Sequence, residues 1–259
     1  MIPPDEALDP IIPFPGPDRD NLRRLRAGPL RRPVAGLLLD TGGVLYDETT
    51  WRRWVVRVFG QLGICTKYRG FFEQWDREFQ GAVHRGERSF CDAFRSFLRA
   101  VGFTPAQTDE VEAACRAQRR KLDAGLRLLP HVKTTLARLS QSGFVLATLS
   151  NSEHTAGVLR ERLANLGLES VFTAVVSSFD LGRAKPDPRC YLTALEAMRL
   201  SPLQVAFVGH ATAELAGAAA VGMATIAFNF EPDAQADVFI ARFEELADVL
   251  RRQPYAAAG

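Results

Sequence analysis

An α/β fold, a doubly wound parallel sheet with a helical insertion, is predicted by two observations. From residue 130 to 251, short apolar runs alternate with segments of helical spacing, as strand–helix–strand units do. Between residues ~50 and 122 the alternation stops and only helical spacing remains. One strand precedes that block and belongs to the same sheet, so the helices interrupt it.

The elements follow in order. Residues 1–33 hold eight of the 15 prolines and read as an extended or disordered tail, with Arg23, Arg24, Arg26, Arg31 and Arg32 free to touch the body or an acidic partner. Val34–Leu39 is a continuous apolar run, as expected of a central parallel strand. Thr50 can cap a helix over Trp51–Leu62. Phe71–Val83 and Ser89–Val101 carry apolar residues three and four apart, and Thr104-Pro105 opens a helix over 105–122. The alternating half then predicts helix Val132–Ser142, strand Phe144–Leu149, helix Glu153–Leu166, strand Val171–Val176 and helix Pro188–Leu200. Strand Val205–Val208, alanine-rich helix Ala211–Val221, strand Ala224–Phe228, edge strand Asp237–Ile240 and helix Ala241–Arg251 complete it. The expected organisation is a tail (1–33), a core domain (34–47 and 128–259) and a helical cap domain (48–127).

Bulk properties exclude several classes. The 259 residues are 47% hydrophobic and 24% charged with a net charge of +2, which gives no electrostatic case for nucleic acid. No apolar run approaches the ~20 residues that span a bilayer. The N-terminus lacks the apolar core of about 7–15 residues of an export signal. A cytoplasmic protein with no membrane partner is the expectation. Cys65, Cys91, Cys115 and Cys190 form no C-x-x-C pair and read as free thiols. His84, His131, His154 and His210 show no metal-site spacing. The composition leaves the oligomeric state open.

Chemistry gathers at strand ends. Asp40 ends the first apolar run, and Gly42 and Gly43 allow a tight turn behind it. Ser150-Asn151 follows the second strand, Lys185 lies in Gly182-Arg183-Ala184-Lys185-Pro186-Asp187-Pro188, and Gly209-His210 with Glu214 follows the fourth. Open α/β sheets place their ligands at these carboxyl ends. Lysine occurs only at 67, 121, 133 and 185, and the other 28 of 32 basic residues are arginine. A retained lysine at 185 suits a compact point charge beside a carboxylate.

These residues, in this order, resemble the haloacid dehalogenase-like (HAD) superfamily, in the branch with a helical cap inserted after the first strand. The resemblance covers residues ~34–250. It implies Asp40 as a nucleophile that forms a covalent intermediate. It implies Ser150 as a holder of an anionic oxygen before a helix N-terminus, and Lys185 as the charge that neutralises nucleophile and substrate. It places Gly42, Gly43 and Asn151 around a small anionic substrate and makes phosphorylated substrates the favoured class.

Two positions depart from the family pattern. The second aspartate of D-x-D, which protonates the leaving group, is Gly42 here. The first acid of the last motif, a magnesium ligand, is His210. Asp40, the Gly42 carbonyl and Glu214 remain as oxygen donors for Mg²⁺, and His210 puts that ion in doubt. Three readings stay open. One is a hydrolase whose leaving group needs little protonation, with His210 supplying charge or a base. Another is a metal-independent 2-haloacid dehalogenase. The third is a non-catalytic binding or regulatory protein.

The cap residues would choose the substrate. Tyr46, Trp51, Trp54, Phe71, Phe72 and Trp75 are candidates for an aromatic wall, and their spacing equally suits a cap core. Arg52, Arg53, Arg69 and Arg85 are candidates for holding an anionic tail, and His154 for the pocket lining.

Overall fold

The computed structural model describes residues 29–47, 50–64 and 68–252. Six parallel strands form one sheet in the order β3-β2-β1-β4-β5-β6. They are β1 (Gly36–Leu39), β2 (Val145–Ser150), β3 (Ala174–Ser177), β4 (Val205–Gly209), β5 (Ala224–Phe228) and β6 (Val238–Ile240). From β1 the chain builds outward through β2 to β3, then returns to lay β4 on the other side of β1. The order therefore reverses at β1/β4, where Leu39 is in register with Val208.

The alternation of the strands divides the core. Leu37 and Leu39 pack on one face with Val132, Leu136, Leu159, Leu163, Leu246 and Leu250. These come from helices α6 (Val132–Gln141), α7 (Ala156–Asn165) and α11 (Glu245–Arg251). Leu38 points the other way, against Tyr191, Leu195, Leu215 and Ala218. These belong to α9 (Pro188–Met198) and α10 (Thr212–Ala220). The small residues of α10 allow close approach: a Cβ on Gly217 would stand 2.8 Å from Pro186 Cβ and 2.9 Å from Tyr191 Oη.

Between β1 and α6 lie α1 (Thr50–Gln61), α2 (Tyr68–Glu78), α3 (Gln80–His84), α4 (Phe90–Ala100) and α5 (Pro105–Ala124). They bury their own cluster, built on Val55, Phe59, Phe71, Phe72, Trp75, Phe94 and Phe97. The chain leaves the sheet region at Tyr46 and returns at Leu128, and these two residues form an antiparallel bridge. No described helix is long and apolar enough to cross a membrane.

Several expectations are corrected. Phe71–Val83 is two helices, because the chain turns at Phe79 between α2 and α3. Helix α7 begins at Ala156, not Glu153. Thr155 accepts from Val158 N–H, and Asp180 accepts from Ala156 N–H at 2.6 Å, so the capping groups sit later than the sequence suggested. Strand β3 starts three residues late, at Ala174, and the last helix starts at Glu245. A short helix α8 (Ser178–Leu181) follows β3 and was not expected. At the end of the expected tail, Leu30 is 1% exposed and Arg32 donates to the Gly222 carbonyl, so these two residues pack on the body. Residues 1–28, Cys65, Lys67 and the side chain of Arg69 lie outside the described residues. Cys91, Cys115 and Cys190 are free thiols.

Candidate active site

Asp40 is the first residue beyond β1, and His210 the first beyond β4. They face each other across the switch point of the sheet. Asp40 is 5% exposed, and its Oδ1 accepts from the Thr41 N–H at 2.8 Å. Lys185 Nζ reaches the same oxygen at 2.7 Å, and His210 Nδ1 lies 3.4 Å from Oδ2. Burial pushes the Asp40 pKa upward. The Lys185 charge and the His210 contact more than offset it and hold the carboxyl below the usual range, so it is ionised.

Lys185 is the centre of the cluster. Its side chain is fully buried, and Nζ sits 2.7 Å from both Asp40 Oδ1 and Glu214 Oε2. Nζ also lies 5.4 Å from the Phe207 ring centroid. Burial would lower its pKa, but the two carboxylates raise it, so the ammonium keeps its proton. Glu214 lies on the first turn of α10. Burial, seconded by the charge of Asp40, pushes it up to about 7 against the pull of Lys185.

Asn151, just past β2, ties the group together. Its Oδ1 accepts from the Lys185 N–H at 2.8 Å, and its Nδ2 donates to Glu214 Oε1 at 3.0 Å. Ser150 is the last residue of β2, and its Oγ is 2.6 Å from Thr41 Oγ1. The expected helix N-terminus beside Ser150 is absent, since α7 starts six residues later. Gly42 and Gly43 form the turn after Asp40, where Gly43 takes a φ of 69° and its carbonyl accepts from Asn229 Nδ2 at 2.9 Å.

Mg²⁺ prefers hard oxygen ligands in an octahedral array. Here both Asp40 oxygens face nitrogen atoms, of Lys185 and His210. Both Glu214 oxygens do the same, toward Lys185 and Asn151. Among the described residues no group of three His, Cys, Asp or Glu side chains is arranged to hold a metal. The expected set of Asp40, the Gly42 carbonyl and Glu214 therefore does not fit a magnesium ion.

A cavity of about 220 Å³ opens beside Thr41, Ser150 and Asn151 and runs among the inserted helices. Tyr46, Trp51, Trp54 and Trp75 line it, as the aromatic-wall expectation has it. Phe71 and Phe72 do not line it and belong to the helical cluster instead. Three of the arginines proposed for an anionic tail are engaged elsewhere. Arg52 forks onto Asp76 at 2.6 and 2.9 Å, Arg53 pairs with Asp47, and Arg85 pairs with Glu87 at 2.6 Å.

His154 lines the cavity as expected, and so does His84, which sequence reasoning missed. Burial first, then the Lys185 charge, pushes the His84 pKa down to about 4, against the opposing charge of Asp40. Its position depends on α8: Ser178 Oγ accepts from Ser152 N–H at 2.9 Å and donates to the His84 carbonyl at 2.7 Å. No sequence signal marked it, because it closes an ordinary amphipathic run.

Residues 34–222 match the haloacid dehalogenase-like hydrolase family. A glyceraldehyde 3-phosphate phosphatase of Methanopyrus kandleri is 28% identical over 232 residues, which is 84% of this chain and 97% of its own. The (S)-2-haloacid dehalogenase 1 of Pseudomonas sp. is 26% identical over 206 residues, or 76% of this chain and 85% of its own. Among solved structures, the HAD-hydrolase YfnB of Bacillus subtilis, bound to magnesium, superposes with a TM-score of 0.65 at 21% identity. That match covers 85% of this chain and all of YfnB. The chain belongs to the haloacid dehalogenase-like hydrolases.

Proposed function

We propose that this protein is a hydrolase that uses Asp40 as nucleophile on a small anionic substrate, with phosphorylated compounds as the favoured class. The observation that carries the reading is the buried pair of Asp40 and Lys185 at 2.7 Å, placed at the switch point of the sheet. An ionised carboxylate there can attack the electrophilic centre and displace the leaving group. Water then releases the product and restores the carboxylate. Ser150 and Thr41, with the turn at Gly42 and Gly43, are the groups for the substrate's anionic oxygens. Lys185 and His210 stand where positive charge is needed. His154 borders the same cavity and is the residue to handle the proton that Gly42 cannot.

A second reading has one specific support. The donor set around Asp40 does not suit Mg²⁺, and displacement of halide from a 2-haloacid needs neither a metal nor a proton for the leaving group.

One experiment tests both. Phosphate compounds and 2-haloacids are assayed for product release, with Mg²⁺ and with chelator, beside Asp40→Asn. The expected result is turnover that Asp40→Asn lowers at least a thousandfold. Released phosphate or halide decides the bond. Turnover that survives in Asp40→Asn overturns the nucleophile, and silence of the whole panel moves the weight to a binding role.

A further inference from the structure

The cavity beside the carboxylate cluster has a chemical character of its own. Trp51, Trp54, Trp75, Phe90, Phe94 and Val83 supply its apolar wall. The rings are already interlocked: Trp51 meets Phe90 at 5.5 Å and 84°, and Trp75 meets Phe94 at 5.7 Å and 83°. That framework fixes the wall, so the space is held open rather than closed by side-chain collapse.

Its size is informative. A dry apolar cavity of about 150 Å³ accepts benzene. The cavity here measures about 220 Å³, room for one ring and a short linker. One end touches Thr41 and Ser150, so a ring inside it would be joined to whatever reaches Asp40.

Trp75 is 1% exposed, and its indole N–H is buried without a hydrogen-bond acceptor. Too enclosed for a water to reach, that N–H lies behind the wall and sets no requirement on an occupant. Carboxylates hold three of the arginines around the cavity. Glu112, at the wall, is bonded by Arg95 at 2.8 Å and Arg116 at 3.0 Å, and Arg52 is committed to Asp76.

We propose that this cavity is the receptor for the organic part of the substrate. That part is an aryl group, or an apolar group of the same size, linked by a short spacer to the reacting anionic group. The aryl receptor stands on its own observations. Only the anionic end rests on the Asp40 reading.

The test uses the full chain and three probes that cannot turn over: benzamide, benzylphosphonate and methylphosphonate. Binding is read by tryptophan fluorescence and by NMR shifts. Benzamide carries a ring and an acceptor but no anion, so it reports the cavity alone. The expected results are saturable benzamide binding, and benzylphosphonate at least tenfold tighter than methylphosphonate. Trp54→Ala removes one ring of the wall and should weaken benzamide about fivefold. Cys91→Phe, from the cavity wall, should abolish the preference for benzylphosphonate. Equal affinities for the two phosphonates, or no benzamide saturation, would overturn the receptor. Saturable benzamide binding with no turnover of any phosphate or haloacid would uphold the receptor and overturn the hydrolase reading.

Discussion

Asn151 and Lys185 hold each other by two reciprocal hydrogen bonds: the Lys185 N–H donates to Asn151 Oδ1 at 2.8 Å, and Asn151 Nδ2 donates back to the Lys185 carbonyl at 3.2 Å. The same Nδ2 reaches Glu214 Oε1 at 3.0 Å. One amide thus fixes the root of the lysine and the second carboxylate that its ammonium meets. The residue after β2 positions the charge centre.

Asn151→Ala should therefore destabilise the fold by about 1–3 kcal/mol, since buried partners lose their bonds. Asn151→Asp should be worse at pH 8, because it adds a carboxylate beside Glu214 and removes the donor. Urea denaturation of both variants checks the order. An Asn151→Asp protein as stable as the alanine variant would refute the clamp.

Removing the lysine charge leaves Asp40 and Glu214 buried together. Lys185→Met should cost about 3–5 kcal/mol, as breaking a buried pair from one side does. Adding Glu214→Gln to it should return part of that loss, since one uncompensated charge goes with it. Equilibrium unfolding of the single and double variants decides. Strict additivity would mean that the two residues do not share a charge.

His84 gives a pH signature. Its folded pKa is about 4, while an unfolded imidazole titrates near 6.5. Between those values the unfolded chain binds a proton that the folded chain does not. Stability from this group is complete above about pH 6.5 and is lost as pH falls toward 4. The loss is about 2 kcal/mol by pH 5. Lys185, Arg52 and Arg85 favour the neutral ring and Asp40 opposes them. Thermal melts from pH 7 to 5 should fall less steeply in His84→Gln than in the parent. Parallel curves would show that His84 is not held neutral.

The nitrogen atoms facing Asp40 and Glu214 predict indifference to magnesium. Chelator and Mg²⁺ should each leave the melting temperature of the parent unchanged. His210→Asp replaces an imidazole with a hard oxygen donor beside Asp40. Millimolar Mg²⁺ should then raise the melting temperature of that variant. A magnesium shift in the parent would show that its present donor set already binds the ion.

The legible parts of this protein were those set by local pattern. The run Leu37-Leu38-Leu39 ends in Asp40 wherever the strand goes, because a central parallel strand must be apolar on both faces. Pro188 at the start of α9 and Gly143 past the end of α6 announce those helices on their own. Less legible were the features that depend on another part of the chain. Helix α7 begins at Ala156 because Asp180, 24 residues on, accepts its amide. The break at Phe79 lies inside an unbroken apolar period. His84 reaches the cavity where Ser178, 94 residues on, takes its carbonyl and bonds the Ser152 N–H beyond β2.

The sequence alone determined the strand-end placement of Asp40, Ser150 and His210, since apolar runs and turn chemistry are written in periods of a few residues, whereas Lys185 lies beyond the unexpected helix α8. The tertiary structure decided what those residues face. Lys185 became the shared partner of Asp40 and Glu214, His210 turned its nitrogen toward Asp40, and the aromatic residues were divided between a helical core and a cavity wall. These are distances between segments far apart in the chain. They follow from how the layers pack, which no local period encodes.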